Sequence, residues 1–230
     1  ISLGLVGSEM CIRDRMRRMS IGIDDPPTLR WTGSQLEIID QTLLPAELRV
    51  IELGSVAQVI DAISRLAIRG APAIGACAAY GLVVAFDEAA PKNTAEAHRA
   101  LASGADRIGK ARPTAVNLSH ALNRVKRKAE KGTTVAQTTA LALTEADAVF
   151  DEDRAACDLI GQHGARELAD HRTLMTHCNA GWLATVDWGT ATAPMYLAHE
   201  AGIPIHVWVD ETRPRNQGAH LTAWELGQHG

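Results

Sequence analysis

Two clusters of reactive side chains follow short apolar runs: His177-Cys178-Asn179 after LMT, and Asp210-Glu211-Thr212-Arg213 after IPIHVWV. Parallel α/β sheets bind ligands beyond the carboxyl ends of their strands, so both clusters are expected to face one crevice. A free cysteine is most often a small buried hydrophobe. Cys178 differs in position, because a strand-end thiol followed by Asn-Ala-Gly lies where a helix N-terminus favours the thiolate. His177 precedes it by one residue and points to the opposite face of a persisting strand, so the two are not paired as a catalytic dyad.

Arginine supplies the second pattern. Arg69 precedes Gly-Ala-Pro, Arg112 precedes Pro-Thr and Arg213 precedes Pro-Arg, each beside the start of a helix or turn. A cation at a helix N-terminus opposes the helix dipole at roughly 0.3 to 1 kcal/mol, so its repetition points to a bound anion. The backbone N–H groups of Gly70 and Ala71, together with guanidinium forks, make a phosphate cradle. Neither GxGxxG nor GxxxxGK[ST] is present, which leaves a dinucleotide or nucleoside triphosphate site without support.

The elements that must carry these groups read as follows. LRWTGSQLEII is a hairpin turned at Thr32-Gly33-Ser34. Ser55 opens a helix with apolar positions 56, 59, 60, 63 and 66, running to Arg69-Gly70. APAIGACAAYGLVVAFDEA begins a second helix at Pro72, rich in small residues and expected to be buried on several sides. Further helices follow over 94–109, from Pro113 onward, and over 137–168, the last long enough to bridge two domains. LMTHC and IPIHVWVD, separated by the helix-like PMYLAHEAG, form a βαβ unit with parallel strands. The expected fold is α/β: a mostly helical N-terminal domain with a small antiparallel sheet over 19–136, a connecting helix over 137–168, and an incomplete Rossmann-like parallel α/β domain over 169–230. Residues 1–18 look foreign to the rest and resemble a translated adapter, with a natural start at Met16 or Met19.

Composition bounds the function. Lys plus Arg number 23 against 27 for Asp plus Glu, a formal net charge of −4 that offers no basic field to a nucleic acid. No apolar run approaches the length of a membrane span. Cys11, Cys77, Cys157 and Cys178 lack CxxC or Cys/His ligand spacing, so neither a zinc site nor a disulfide framework is signalled, and reduced thiols in the cytoplasm are the simplest reading.

Four segments together, IRGAPAIGACAAYGL (68–82), ARPTAVNLSHAL (111–122), THCNAGWLAT (176–185) and DETRPRNQGAHLTAWEL (210–226), resemble the methylthioribose-1-phosphate isomerases of methionine salvage. The resemblance runs from about Leu29 to the last residue, with the motifs in the family's order. It implies an aldose-to-ketose conversion of 5-methylthioribose 1-phosphate, without metal or organic cofactor, in a cytoplasmic homodimer. The family's phosphate and sugar contacts fall on Arg69, Gly70, Ala71, Arg112 and Gln217, and its catalytic thiol on Cys178. A second catalytic residue of the family, an aspartate in an Asp-Asn pair, lies on a strand after the LTAWEL helix. Gly230 precedes that strand, so the 230-residue chain is expected to be a truncated piece with little turnover. The wider superfamily offers two alternatives, a ribose-1,5-bisphosphate isomerase and a non-catalytic regulatory subunit that senses a phosphorylated metabolite.

Overall fold

The computed structural model describes residues 27–230. The expectations for residues 1–18, for Met16 or Met19 as the start, and for Cys11 lie outside the described residues.

The hairpin forms as its turn residues require. Strand β1 (Leu29–Trp31) pairs antiparallel with β2 (Leu36–Ile39), Leu29 opposite Ile38. A third strand that the sequence reading missed, β3 (Val50–Leu53), pairs with the other edge of β2. Four residues carry too little alternation to announce a strand. Trp31 stacks on Tyr80 of the following helical layer, ring centroids 5.6 Å apart.

Helix α1 (Val56–Ser64) starts where expected, with Ser55 accepting from the Gln58 N–H. It ends earlier than its apolar spacing predicts. Leu66 takes a left-handed φ of 68°, which breaks the helix and turns Ala67 and Ile68 into the core. A branched residue in that region costs on the order of 1 kcal/mol or more, tolerated when buried neighbours fix the chain. The turn delivers Arg69 to the start of α2 (Ala71–Ala89).

Helix α2 is the centre of the N-terminal core. Its residues from Ala73 to Phe86 are all buried, packed by α1, α3 (Thr94–Gly109), α4 (Val116–Ala129) and α5 (Val135–Glu167). It is long and apolar enough to cross a membrane by length and composition, contrary to the expectation that no run approaches that length. Its burial among helices gives it a core role instead. Pro113 does not open α4: Arg112 O accepts from Ala115 N–H at 3.0 Å, a turn with proline in its second position, and the helix begins at Val116.

After α5 the chain enters β4 (Thr173–His177), crosses through α6 (Ala193–Glu200) and returns as β5 (His206–Asp210). The strands are parallel and in register from Thr173 opposite His206 to His177 opposite Asp210. Gly218–Thr222 form one wide helical turn leading into α7 (Ala223–His229). Ile39 and Leu44 share a cluster with Trp182, Leu183, Trp188 and Ala193, which ties the hairpin region to the segment after β4. Helix α5 touches α2 and α4 as well as α6, so it contacts both layers.

Candidate active site

The strand ends at His177, and Cys178 leaves it with a left-handed φ of 60°. Backbone bonds fix that conformation: Cys178 N–H donates to Asp210 O at 3.1 Å, and Thr222 Oγ1 donates to Cys178 O at 2.6 Å. The half-buried sulfur then faces the 212–217 turn. Its S–H donates to Gln217 Oε1 at 3.3 Å, and it accepts from Thr212 Oγ1 at 3.4 Å. The two strand-end clusters do face one another. One expectation fails, since the segment after Gly181 forms a single 3-10 turn, Trp182–Ala184, and a hydroxyl and a side-chain amide attend the thiol in place of a helix N-terminus. His177 pairs with Asp210 at 2.8 Å rather than with Cys178, and that hydrogen bond holds the Asp210 carboxyl below its ordinary range.

Arg69 is 8 % exposed. Its guanidinium donates to Asn179 Oδ1 and, at 3.2 Å, to Asn179 O. Burial lowers its proton affinity, the nearby Glu225 and Cys178 raise it, and Arg112 lowers it again, which places both guanidinium groups and the sulfur in one electrostatic neighbourhood. The Arg112 side chain is half-buried and has no hydrogen-bond partner among the described residues. Two cations sharing a space suit an anion.

Gly70 is the N-cap of α2, with φ 90°, and a Cβ there would run into the Ala184 backbone. Only glycine fits. The first N–H groups of a helix have no intrahelical acceptor, so those of Gly70 and Ala71 are available beside Arg69. A cleft of about 260 Å³ adjoins this point, lined by Arg69, Gln217, Gln41, Leu66, His220 and Leu221 among others. Arg213, third in the sequence pattern, is exposed and does not line it, whereas Arg215 does.

The sequence reading placed Asn179 in the strand-end cluster without a role of its own, and it missed Glu225. Glu225 is fully buried on α7, its Oε1 accepting from Leu183 N–H and its Oε2 from Asn179 Nδ2, both at 2.6 Å. Gly181 allows this contact, because a Cβ there would strike the carboxyl. A lone acid among Leu221, Trp224 and Leu226 was the available signal, and it reads equally as a solvated face.

Burial pushes Glu225 up to about 7, with the bonds from Leu183 and Asn179 and the charge of Arg69 opposing. Burial likewise pushes Asp187 up to about 6, with Arg154 opposing. The folded chain thus binds both protons more tightly than the unfolded chain. Stability from these groups is fully present below the ordinary carboxylate range and is lost as pH rises through about 6 and 7. Thermal unfolding followed across this window is expected to give a Tm that falls with rising pH, and Asp187→Asn should flatten the lower part of that fall. A Tm that climbs over the window contradicts the assignment.

Residues 67–230 match the Initiation factor 2 subunit family. Methylthioribose-1-phosphate isomerase of Rhodospirillum centenum is 48% identical over 225 residues, 94% of this chain and 56% of that protein. Among solved structures, translation initiation factor eIF-2B subunit delta from A. fulgidus superposes with a TM-score of 0.83 at 43% identity, covering 89% of this chain and 60% of that one. The 5-methylthioribose 1-phosphate isomerase from Pyrococcus horikoshii OT3 gives 0.83 at 35% identity, covering 92% and 62%. The chain spans about half the length of the curated relatives it matches.

Proposed function

The chain belongs to the Initiation factor 2 subunit family, and from that premise we propose that the full-length protein is a sugar-phosphate aldose-ketose isomerase acting on 5-methylthioribose 1-phosphate. The observation that carries the reading is the shared surroundings of a strand-end thiol and two guanidinium groups, one of them without a partner among the described residues. Arg69, Arg112 and the N–H groups of Gly70 and Ala71 hold the phosphate. Gln217 holds the sugar beside Cys178.

The substrate's C1 is locked as a phosphorylated hemiacetal. Isomerisation breaks the C1–O4 ring bond, adds a proton to O4, moves hydrogen from C2 to C1 and removes the proton of the C2 hydroxyl. The balance is internal to the substrate. A group at C1 and C2 must relay a proton or stabilise the charge that develops there, and Cys178 occupies that role, with Thr212 and Gln217 orienting its sulfur.

The same reading places the protein in the cytoplasm as a homodimer. The free thiols Cys77, Cys157 and Cys178 suit a reducing compartment, and Leu159 and Ile160, exposed on α5, offer apolar surface to a second subunit. The test is turnover of 5-methylthioribose 1-phosphate by the full-length protein, read as ketose formation, beside ribose 1,5-bisphosphate. Ketose from the first substrate in preference to the second is expected. Absence of ketose from 5-methylthioribose 1-phosphate sinks the proposal.

The likeness to the eIF-2B subunit, at 43% identity, favours a second reading, a regulatory subunit that binds a phosphorylated metabolite without reaction. Such a protein has no need of a thiol at the crevice, and substitution of Cys178 separates the two.

A further inference from the structure

A buried run of hydrogen bonds links the last helix to the candidate anion site. The amide of Asn179 is its pivot. The amide nitrogen donates to Glu225 Oε2 at 2.6 Å and to Thr222 Oγ1 at 3.0 Å, while its oxygen accepts from Arg69 Nη1. Thr222 in turn donates to the carbonyl of Cys178 at 2.6 Å. A side-chain amide has two orientations of nearly equal shape, distinguished only by what its ends meet. Turned over, this one would set an NH2 group against a guanidinium and an oxygen against a carboxylate.

We infer that Glu225 is a positioning residue: its carboxylate fixes the Asn179 amide in the orientation that receives Arg69, and Arg69 is thereby aimed at the phosphate of the substrate. The inference rests on the isomerase reading. With 0 % of its surface exposed, Glu225 acts through Asn179 and does not reach the substrate itself.

The protonation state decides the geometry. The ionised form accepts from both Leu183 N–H and Asn179 Nδ2 with no proton of its own to place. Burial brings its ionisation to about 7, and the charged or titratable groups facing it are Arg69 and Tyr196. Once protonated, Glu225 donates through one oxygen. The Asn179 oxygen then turns toward that proton, and Arg69 loses its acceptor. Anion binding therefore weakens as pH falls through about 7.

Sulfate is the probe, because its charge is constant over this range. Its affinity for the chain is measured by calorimetry above and below neutral pH, for the unmodified protein and for Glu225→Gln. The glutamine has one acceptor oxygen for two donors. The readout is the ratio of the two affinities, which cancels pH effects common to the two proteins. The unmodified protein is expected to bind about tenfold more tightly above neutrality, the loss of one hydrogen bond to a charged group, and the two proteins to converge below it. Simple removal of a negative charge predicts the reverse, tighter sulfate binding by Glu225→Gln. That result, or a ratio of one at every pH, overturns the role of Glu225 while leaving the anion site standing. Absence of sulfate binding by the unmodified protein overturns the site itself. Should Glu225→Gln fail to fold, Asn179→Asp with Glu225→Gln exchanges acid and amide and keeps an acceptor for Arg69 and for the Leu183 N–H. This double variant is expected to bind sulfate without the step near neutrality, and persistence of the step overturns the inference.

Discussion

Replacing Cys178 by alanine in the full-length protein is expected to lower isomerase turnover by roughly 10²- to 10⁴-fold, the range for a positioned proton-transfer group, with KM changed little. The fold should survive. Cys178 is half-buried, its conformation is held by backbone bonds to Asp210 and Thr222, and it belongs to neither core cluster. Serine is the sharper variant, because its hydroxyl can keep the contacts with Thr212 and Gln217 while remaining a far weaker acid. Serine should therefore fail nearly as badly as alanine. Rates preserved within a few-fold in both variants would remove Cys178 from the chemical step.

Arg69→Met should damage both stability and binding. Methionine fills much of the aliphatic volume but leaves Asn179 Oδ1 without its donor and Glu225 without its nearest cation. Each buried group so orphaned costs on the order of 1 to 3 kcal/mol, a large share of a domain's stability. Glu225 then takes up a proton at neutral pH. The phosphate loses its buried guanidinium, and substrate affinity is expected to fall about a hundredfold, mostly as KM. Denaturant unfolding and steady-state kinetics measure the two losses separately. An unchanged KM would remove Arg69 from the proposed phosphate site. Arg69→Lys should recover part of the stability, since an ammonium restores the charge without the two-pronged grip on Asn179.

The parts of the fold legible in the sequence were those with strong local signals. Ser55 caps its helix, the small-residue run of α2 is buried on all sides, and the apolar runs ending at His177 and Asp210 pair in parallel. What escaped is set by contacts distant in sequence. Leu66 breaks α1 against its own periodicity because Ala67 and Ile68 are needed in the core. Cys178 turns left-handed because Asp210 and Thr222, 32 and 44 positions away, hold its backbone. Glu225 looks like any acid on an amphipathic helix until Asn179 and Leu183 are seen to surround it. The thiol, Arg69 and Arg112 were singled out from residue type at element ends, whereas the contacts that orient them have no signature in one dimension.

The contact between Gly70 and Ala184 carries a mechanical consequence. Backbone meets backbone there with no side chain to compress, so the head of α2 and the loop after β4 can shift only together, carrying the proposed anion cradle and the thiol with them. Any grip-and-release cycle around a ligand must then be performed by the opposing side, the surface-exposed turn from Arg213 to Asn216.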